Sequence, residues 1–153
     1  MISIDRARPT DRAAIEGLLE ANGLPTAGFD LAAATAVVAR EEGGAREIVG
    51  CAAVEPYGWV GLLRSVCVAP DLRSAGLGRR LVAEAEAIAT GLGIGQLFLL
   101  TDTAGDWFPR LGYERVGKGT APAQLLTSPE FTGACPEGAL LLRKILDRPP
   151  QLG

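Results

Sequence analysis

The apolar positions of this chain follow two different periods, which predict helices in two places and strands in the rest of the core. After Thr10, a candidate helix N-cap, apolar residues recur every three or four positions, with Ile15, Leu18 and Leu19 on the buried face. The same spacing over residues 77–91 predicts a second, longer amphipathic helix. Glycine and proline turns separate the shorter apolar runs, which are therefore predicted as strands.

Seven short runs have the composition of strands: residues 2–7, 36–40, 48–54, 59–68, 96–101, 113–116 and 139–144. Turns at 42–45 and 56–58 predict an antiparallel meander before the second helix. The run 96–101 is almost wholly apolar, which is typical of a central strand covered on both faces. Residues 102–111 and 121–128 are predicted as short helical segments, and the stretch from the first helix to residue 35 is left open.

Length and composition predict a single domain. With 153 residues, 48% of them hydrophobic, the chain can bury one core, which we assign to residues 1–146, with 147–153 as a flexible tail. No apolar run approaches the roughly 20 residues that span a bilayer, and the start lacks the apolar core of a signal peptide. We therefore expect a cytoplasmic protein that does not bind membranes.

The titratable residues exclude several kinds of chemistry. The chain has no histidine, which excludes Ser-His-Asp and Cys-His nucleophilic schemes. Cys51, Cys67 and Cys135 form no Cys-x-x-Cys pair, so we expect neither a disulfide framework nor a metal site. The formal net charge of -3 disfavours nucleic acid as a partner.

One turn carries the strongest chemical signal in the sequence. A strand ending at Val68 leads through Gly76 and Gly78 into the second helix, and glycines let the backbone come close to a ligand. Unpaired amides at the start of a helix, with the helix dipole behind them, attract anions. Because three arginines surround this turn in an acidic chain, we predict a specific anionic ligand. They are Arg73, Arg79 and Arg80.

Two kinds of phosphate-binding turn compete as explanations. A dinucleotide-binding Rossmann unit would place a third glycine where Leu81 stands and an acid near Asp102, which is present, but its turn directly follows the first strand. The run from Val68 to Gly78, V-x-P-x-x-R-x-x-G-x-G, instead resembles without a gap the acetyl-CoA motif of the GCN5-related N-acetyltransferases (GNAT). A tight turn that only starts a surface helix is the third alternative.

The resemblance extends over nearly the whole chain and implies a fold, a co-substrate and a set of contacts. The implied fold is α/β (α+β), with one mixed, mostly antiparallel central sheet flanked by helices and acetyl-CoA bound where the central strands splay. The backbone amide of Val66, in a strand bulge, is implied as the donor to the charge that develops on the thioester oxygen. No metal is implied. The implied acetyl-CoA contacts are Val66, Cys67, Val68, Arg73, Ser74, Ala75, Gly76, Leu77, Gly78, Arg79 and Phe108.

Proton transfer is where the sequence departs from the family. Residues 107–114 resemble the segment that closes over the thiol end of CoA. Phe108 stands where relatives have a tyrosine that acts as general acid, so water is expected to protonate the CoA thiolate here. Glu55 is the first candidate for the base that deprotonates the amine, with a solvated hairpin charge as the alternative, and Asp102 is the second candidate. Cys67 is interpreted as a small strand residue in preference to a covalent acyl carrier.

Arg64 gives a clue to the acceptor. It stands where many relatives have a carboxylate, and it would attract a carboxylate or phosphonate-type group, unless it is paired with an internal acid. Glu55 and Thr101 are the other predicted acceptor contacts. Three segments, residues 62–66, 99–104 and 131–136, resemble a narrower group, the acetyltransferases encoded with arsenic-resistance genes, which are related to enzymes acting on phosphinothricin and arsinothricin.

We therefore predict an acetyl-CoA-dependent N-acetyltransferase whose partner is a small, anionic, amino-acid-like amine. A protein or peptide N-acetyltransferase and a weakly catalytic acyl-CoA-binding module are the alternatives. The sequence does not fix the oligomeric state, and a homodimer is left open.

Overall fold

Strands and helices alternate along the chain largely as the apolar periods predict. The computed structural model describes residues 2–24, 26, 29–31, 34–43, 48–73, 76–101, 106–128, 131 and 139–146. Within them the strands are β1 (Ile2–Arg6), β2 (Thr35–Glu41), β3 (Ile48–Tyr57), β4 (Val60–Val68), β5 (Gln96–Thr101), β6 (Glu114–Val116) and β7 (Leu140–Ile145). The α-helices are α1 (Arg12–Ala21) and α2 (Leu77–Gly91). Short 3-10 turns occupy Pro9–Asp11, Pro70–Leu72, Phe108–Leu111, Lys118–Thr120 and Ala123–Thr127.

The strands form one seven-stranded sheet in the order β1-β2-β3-β4-β5-β7-β6. Every neighbouring pair is antiparallel except β4 and β5, which run parallel and are joined by the crossover helix α2. The mixed, mostly antiparallel sheet predicted from the sequence is therefore confirmed. It differs from the parallel sheet that a dinucleotide-binding Rossmann unit requires.

The two α-helices cover opposite faces of the sheet. Val37 and Val38 are neighbours on β2 but belong to different core clusters, because successive strand side chains point to opposite faces. The cluster of Val38 includes Ile15 and Leu19 of α1, both fully buried. The cluster of Val37 includes the apolar side of α2, namely Leu77, Leu81, Val82, Ala85 and Ala89. Neither helix, nor any other in the described ranges, is long and apolar enough to cross a membrane.

Three segments differ from the prediction. Of the predicted helical segment 102–111, the described residues contain the 3-10 turn Phe108–Leu111, which ends at Gly112 in the left-handed conformation at φ 97°; residues 102–105 lie outside the described residues. The predicted helix at 121–128 is also a 3-10 turn. β3 extends to Tyr57, two residues into the predicted turn at 56–58, since Gly58 at φ 74° allows a tighter hairpin before β4 begins at Val60. The predicted tail, 147–153, lies outside the described residues.

A charged cluster fixes the start of α1. Thr10, the predicted N-cap, lies inside a 3-10 turn, and Asp11 directly precedes the helix. One carboxylate oxygen of Asp11 accepts a hydrogen bond from the Arg8 amide at 2.8 Å and another from Arg40 Nη2. Arg40 Nε also donates to Asp5 at 3.3 Å. The hydrogen bond from Arg40 holds the pKa of Asp11 below its ordinary value.

We expect Asp11→Asn to lower the free energy of unfolding by about 2 kcal/mol. Breaking an exposed ion pair costs less than this and breaking a fully buried one costs more, and the Arg40–Asp11 pair is mostly buried. Because the folded pKa is lowered, this stabilisation is fully present above the unfolded pKa of about 3.9 and is lost as the pH falls through the folded value. In urea denaturation, the free energy of unfolding should therefore fall less between neutral and acidic pH in the variant than in the wild type.

The matched control for this prediction is Glu16→Gln. It breaks the exposed Arg12–Glu16 pair, 2.9 Å long, and should change the free energy of unfolding by less than about 0.5 kcal/mol. Equal losses in the two variants would contradict the stabilising role of Asp11.

Candidate active site

The parallel contact between β4 and β5 is short, and it opens the sheet at its centre. Only Val60–Gln96, Gly61–Leu97 and Leu62–Phe98 pair in register, although both strands are described to their ends. β4 continues to Val68 and β5 to Thr101 beyond the last pair. The edge of β4 that faces β5 is therefore left without a strand partner over residues 63–68, and a ligand with amide groups can pair there as a strand does.

A bulge interrupts β4 within this open stretch. Ala53 pairs with Arg64 and Cys51 with Cys67, so β4 has one residue more than β3 between these pairs. The bulge contains Ser65, whose φ of 58° is the only positive value at a non-glycine residue in the described chain. Such a conformation costs about 1–3 kcal/mol and persists only where neighbouring groups hold it. The bulge lies where the family resemblance places it, next to Val66.

Two side chains hold the bulge in this conformation. Cys51 Sγ donates to the Ser65 carbonyl oxygen at 3.1 Å, and Arg64 Nε donates to the Ser65 hydroxyl oxygen at 3.2 Å. Neither Cys51 nor Ser65 was predicted as a site residue. The sequence carries no signal for them, because residues 51 and 65 become neighbours only through the register of β3 and β4.

The turn after β4 has the geometry of an anion cradle. Gly76 adopts φ 78° immediately before α2, and a Cβ there would meet nothing within 4 Å, so backbone conformation is what requires glycine. A Cβ on Gly78 would lie 3.1 Å from Trp107 Cζ2, so the indole packs on the bare backbone. Leu77 is a core residue at 3% exposure, whereas Arg79 is exposed. The predicted contacts Ser74 and Ala75 lie outside the described residues.

Arg73 links the end of β4 to the end of α1. Its Nε donates to the Val68 carbonyl at 3.1 Å, and its Nη2 donates to Asn22 Oδ1 at 2.6 Å. The guanidinium thus helps to fix the turn that precedes the cradle. Its predicted contact with acetyl-CoA stays a prediction.

Glu55 and Arg64 meet in a buried ion pair. Arg64 Nη1 lies 2.8 Å from Glu55 Oε2, and the side chains are 0% and 6% exposed. Glu55 Oε1 also accepts hydrogen bonds from the Tyr57 hydroxyl at 2.7 Å and the Ser128 hydroxyl at 2.6 Å. The Arg64 guanidinium lies 5.8 Å from the centre of the Phe29 ring. Of the arrangements considered from the sequence, the structure has Arg64 paired with an internal acid, and Glu55 is not a solvated hairpin charge.

The two described cysteines are buried thiols. Cys67 is 5% exposed, with its sulfur 4.0 Å from the Leu18 carbonyl, on the face of the sheet that α1 covers. Burial raises the pKa of Cys67 and, more strongly, that of Cys51, which also lies near Cys67. Both thiols therefore stay protonated near neutral pH, which supports a packing role for Cys67 over a covalent one. Cys135 lies outside the described residues.

The aromatic segment after β5 is committed to packing. Phe108 is 6% exposed and lies edge-on to Trp107 and Tyr113. The Tyr113 hydroxyl donates to Glu86 at 2.8 Å, and Lys144 Nζ binds the same carboxylate at 3.0 Å. The Tyr113 hydroxyl is thus engaged by Glu86, and burial, with the nearby Glu86 charge, raises the pKa of Tyr113.

The remaining predicted residues are only partly placed. Thr101 is half-buried at the end of β5, beyond the last pair with β4. Asp102, the second candidate base, lies outside the described residues. No group of three or more metal-ligating side chains occurs among the described residues.

Known proteins resemble this chain in sequence and in fold. An N-acetyltransferase of Chlorobaculum tepidum is 34% identical over 80 residues, 52% of this chain and 51% of that protein. An amino-acid acetyltransferase of Ralstonia nicotianae is 41% identical over 68 residues, 43% of this chain but 15% of that protein. The chain thus spans about half of one relative and a small part of the other.

Solved structures share the fold over almost the whole chain. N-acetylglutamate synthase of Neisseria gonorrhoeae, in complex with coenzyme A and N-acetyl-glutamate, has a TM-score of 0.78 at 24% identity, covering 97% of this chain and 36% of that one. A Mycobacterium tuberculosis protein in complex with CoA has a TM-score of 0.75 at 21% identity, covering 94% and 98%. Residues 32–115, from the segment before β2 to β6, match the family described as Acetyltransferase (GNAT) domain. The open edge of β4, the bulge and the glycine cradle all lie within this match, and the chain belongs to the GNAT acetyltransferase family.

Proposed function

We propose that this domain transfers the acetyl group of acetyl-CoA to the amine of a small, amino-acid-like acceptor. The observation that carries the proposal is the unpaired edge of β4, which contains a bulge and leads directly into the glycine cradle. Together these elements offer a line of backbone groups followed by a group of amides at a helix start. Pantetheine has amides and CoA has a pyrophosphate, so its chemistry matches both parts.

The described residues fit acetyl-CoA in a definite order. The backbone of Val66, Cys67 and Val68 would pair with the pantetheine arm, and the amides from Gly76 to Arg79 would hold the pyrophosphate. The bare backbone at Gly76 leaves room for a phosphate, since among the described residues, its chain neighbours and the backbone of α2 apart, no atom lies within 4 Å of a Cβ there. When bound, acetyl-CoA supplies an activated acyl group as a thioester.

The chain's own groups would then assist attack by the amine. The Val66 N–H would donate to the thioester oxygen as negative charge develops there, which is the stabilisation that acyl transfer needs most. The bond from the carbonyl carbon to the amine nitrogen forms as the carbon–sulfur bond breaks. A CoA thiol with a pKa of about 8.5 is a tolerable leaving group, so water can protonate the thiolate in place of the tyrosine that relatives have at the position of Phe108.

The base for the amine stays open between Glu55, Asp102 and water. Glu55 Oε1 and Oε2 accept three hydrogen bonds, from Tyr57, Ser128 and Arg64, which leaves little capacity for a substrate proton. We therefore favour a water chain, and the assignment of Glu55 stays a prediction that its glutamine variant can test.

An amino-acid-like acceptor is supported by the relatives. Those matched in sequence include amino-acid acetyltransferases, and one fold neighbour was solved with N-acetyl-glutamate. Contacts of the acceptor with Arg64 and Thr101 stay predictions, and for Arg64 the buried Glu55 partner must first be displaced. The narrower resemblance to arsenic-resistance acetyltransferases, a cytoplasmic location and a homodimer also stay predictions.

The direct test of the function measures release of free CoA thiol from acetyl-CoA with a panel of amino acids. We expect turnover above the rate of spontaneous hydrolysis with at least one amino acid, and faster turnover with acidic than with basic side chains. Turnover with peptide amines but with no free amino acid would favour the alternative of a peptide N-acetyltransferase. Binding of acetyl-CoA without turnover of any amine would favour an acyl-CoA-binding module.

Gly76→Val should abolish stabilisation by acetyl-CoA, because a branched side chain at the cradle blocks approach of the pyrophosphate. In the wild type, acetyl-CoA at about 100 times its Kd should add about 2.7 kcal/mol to the free energy of unfolding. Gly93→Val is the matched control, since Gly93 at φ 83° is equally open and lies at the other end of α2. Both variants should lose intrinsic stability, while only Gly93→Val keeps the increase in Tm with acetyl-CoA. Stabilisation by NAD(H) and not by acetyl-CoA would contradict the proposal.

Glu55→Gln should lower the free energy of unfolding by about 3–5 kcal/mol, because it leaves the buried Arg64 charge without its partner. The double variant Glu55→Gln/Arg64→Met should recover part of this loss. Urea denaturation of the single and double variants measures the free energy of unfolding of each. If Glu55 is also the catalytic base, turnover falls in the glutamine variant, most at acidic pH, and is not recovered in the double variant even where stability is.

A further inference from the structure

We propose that Cys51 is a positioning residue for acyl transfer. Its thiol fixes the orientation of the Ser65–Val66 peptide group, whose N–H is the proposed donor to the thioester oxygen. This inference rests on the proposed function and assigns one further residue to the same site.

One peptide group joins the oxygen that Cys51 holds to the N–H of Val66. The carbonyl of Ser65 and the N–H of Val66 belong to the same planar unit, and no peptide bond of the described chain is cis. In a trans peptide the C=O and N–H bonds point in opposite directions. A hydrogen bond that holds the Ser65 oxygen therefore also sets the direction of the Val66 N–H.

Cys51 holds that oxygen from the side of β3. The distance from its sulfur to the Ser65 oxygen is 3.1 Å, and β3 lies next to β4 on the side away from β5. Because the sulfur belongs to the cluster on the α1 face, we infer that the N–H of Val66 points away from Cys51, with the open edge of β4 on the side away from β3. That is the open edge along which the thioester would lie.

The bulge needs such an anchor because its conformation is strained. Ser65 has φ 58°, which favours rotation of the adjoining peptide groups toward a relaxed strand conformation. Neither Ser65 nor Val66 has a partner in the register between the described strands β3 and β4. The hydrogen bond from Arg64 holds the Ser65 side chain, whereas the bond from Cys51 holds the carbonyl, so the two anchors act on different atoms.

Cysteine suits this position better than a stronger donor would. Cys51 is 1% exposed and packs in the apolar cluster of α1 with Val38, its neighbour in the register of β2 and β3. A thiol packs there as a small apolar group and still offers one weak donor, without the larger cost of burying a hydroxyl. Since burial raises its pKa, the thiol keeps the proton that the hydrogen bond requires.

The test compares Cys51→Ala, which removes the donor, with Cys51→Ser, which keeps a donor of similar size. We expect Cys51→Ala to lower kcat about tenfold and to leave the Kd for acetyl-CoA unchanged. The fall in kcat is smaller than the one expected when an oxyanion donor is removed completely. Cys51→Ser should keep kcat within about threefold of the wild type. In NMR hydrogen exchange, the Val66 amide should change its rate in the alanine variant and keep it in the serine variant.

Val38→Ala is the control for lost packing. It removes apolar volume beside Cys51 and should lower Tm at least as much as Cys51→Ala does, while kcat stays at the wild-type value. A fall in kcat that follows Tm across all three variants would overturn the inference, because the thiol would then matter only for packing.

The outcomes also separate this inference from the proposed function. If the wild type acetylates an amine but Cys51→Ala and Cys51→Ser have equal kcat and equal Val66 exchange, the inference fails and the function stands. If the wild type releases no CoA thiol with any amine, the proposed function fails, and the positioning role fails with it.

Discussion

The extra residue in β4 is the constraint on which the candidate site depends. A regular strand would direct its amides alternately into the ladders with β3 and β5, whereas the bulge at Ser65 and Val66 leaves one peptide group outside the register. Because Ser65 adopts a positive φ, the bulge is stable only while neighbouring side chains hold it. The donors on Cys51 and Arg64 do so from β3 and from β4 itself.

The buried ion pair of Glu55 and Arg64 also helps to hold the bulge. Glu55 neutralises Arg64, and Arg64 in turn donates to the Ser65 hydroxyl, so three residues link the hairpin of β3 and β4 to the strained position. Tyr57 and Ser128 complete the hydrogen bonds of the Glu55 carboxylate. A buried charge is costly unless it is paired, and here the pair also holds a side chain at the bulge. In the structure, Arg64 therefore contributes to the conformation of the strand.

The parallel contact of β4 and β5 is short, and it leaves an open edge of β4 next to the bulge. The pairing ends at Leu62, three residues before the bulge at Ser65. The bulge therefore lies in the part of β4 that does not pair with β5. The crossover through α2 brings the glycine cradle to the same end of β4. A single ligand can thus contact the open strand edge and the helix start together.

Local pattern by itself determined the elements and the cradle. Apolar periodicity predicted α2, and the run from Val68 to Gly78 pointed to the family that residues 32–115 match, because glycine conformation and helix starts depend on residues close in sequence. Only the tertiary structure decided how Glu55, Arg64 and Cys51 are used. Their partners lie 9 to 73 residues away along the chain, or across a register shift that no local pattern encodes. Strand register and burial, which are properties of the whole sheet, decide which polar side chains meet, and so they fix the geometry that a sequence motif can only imply.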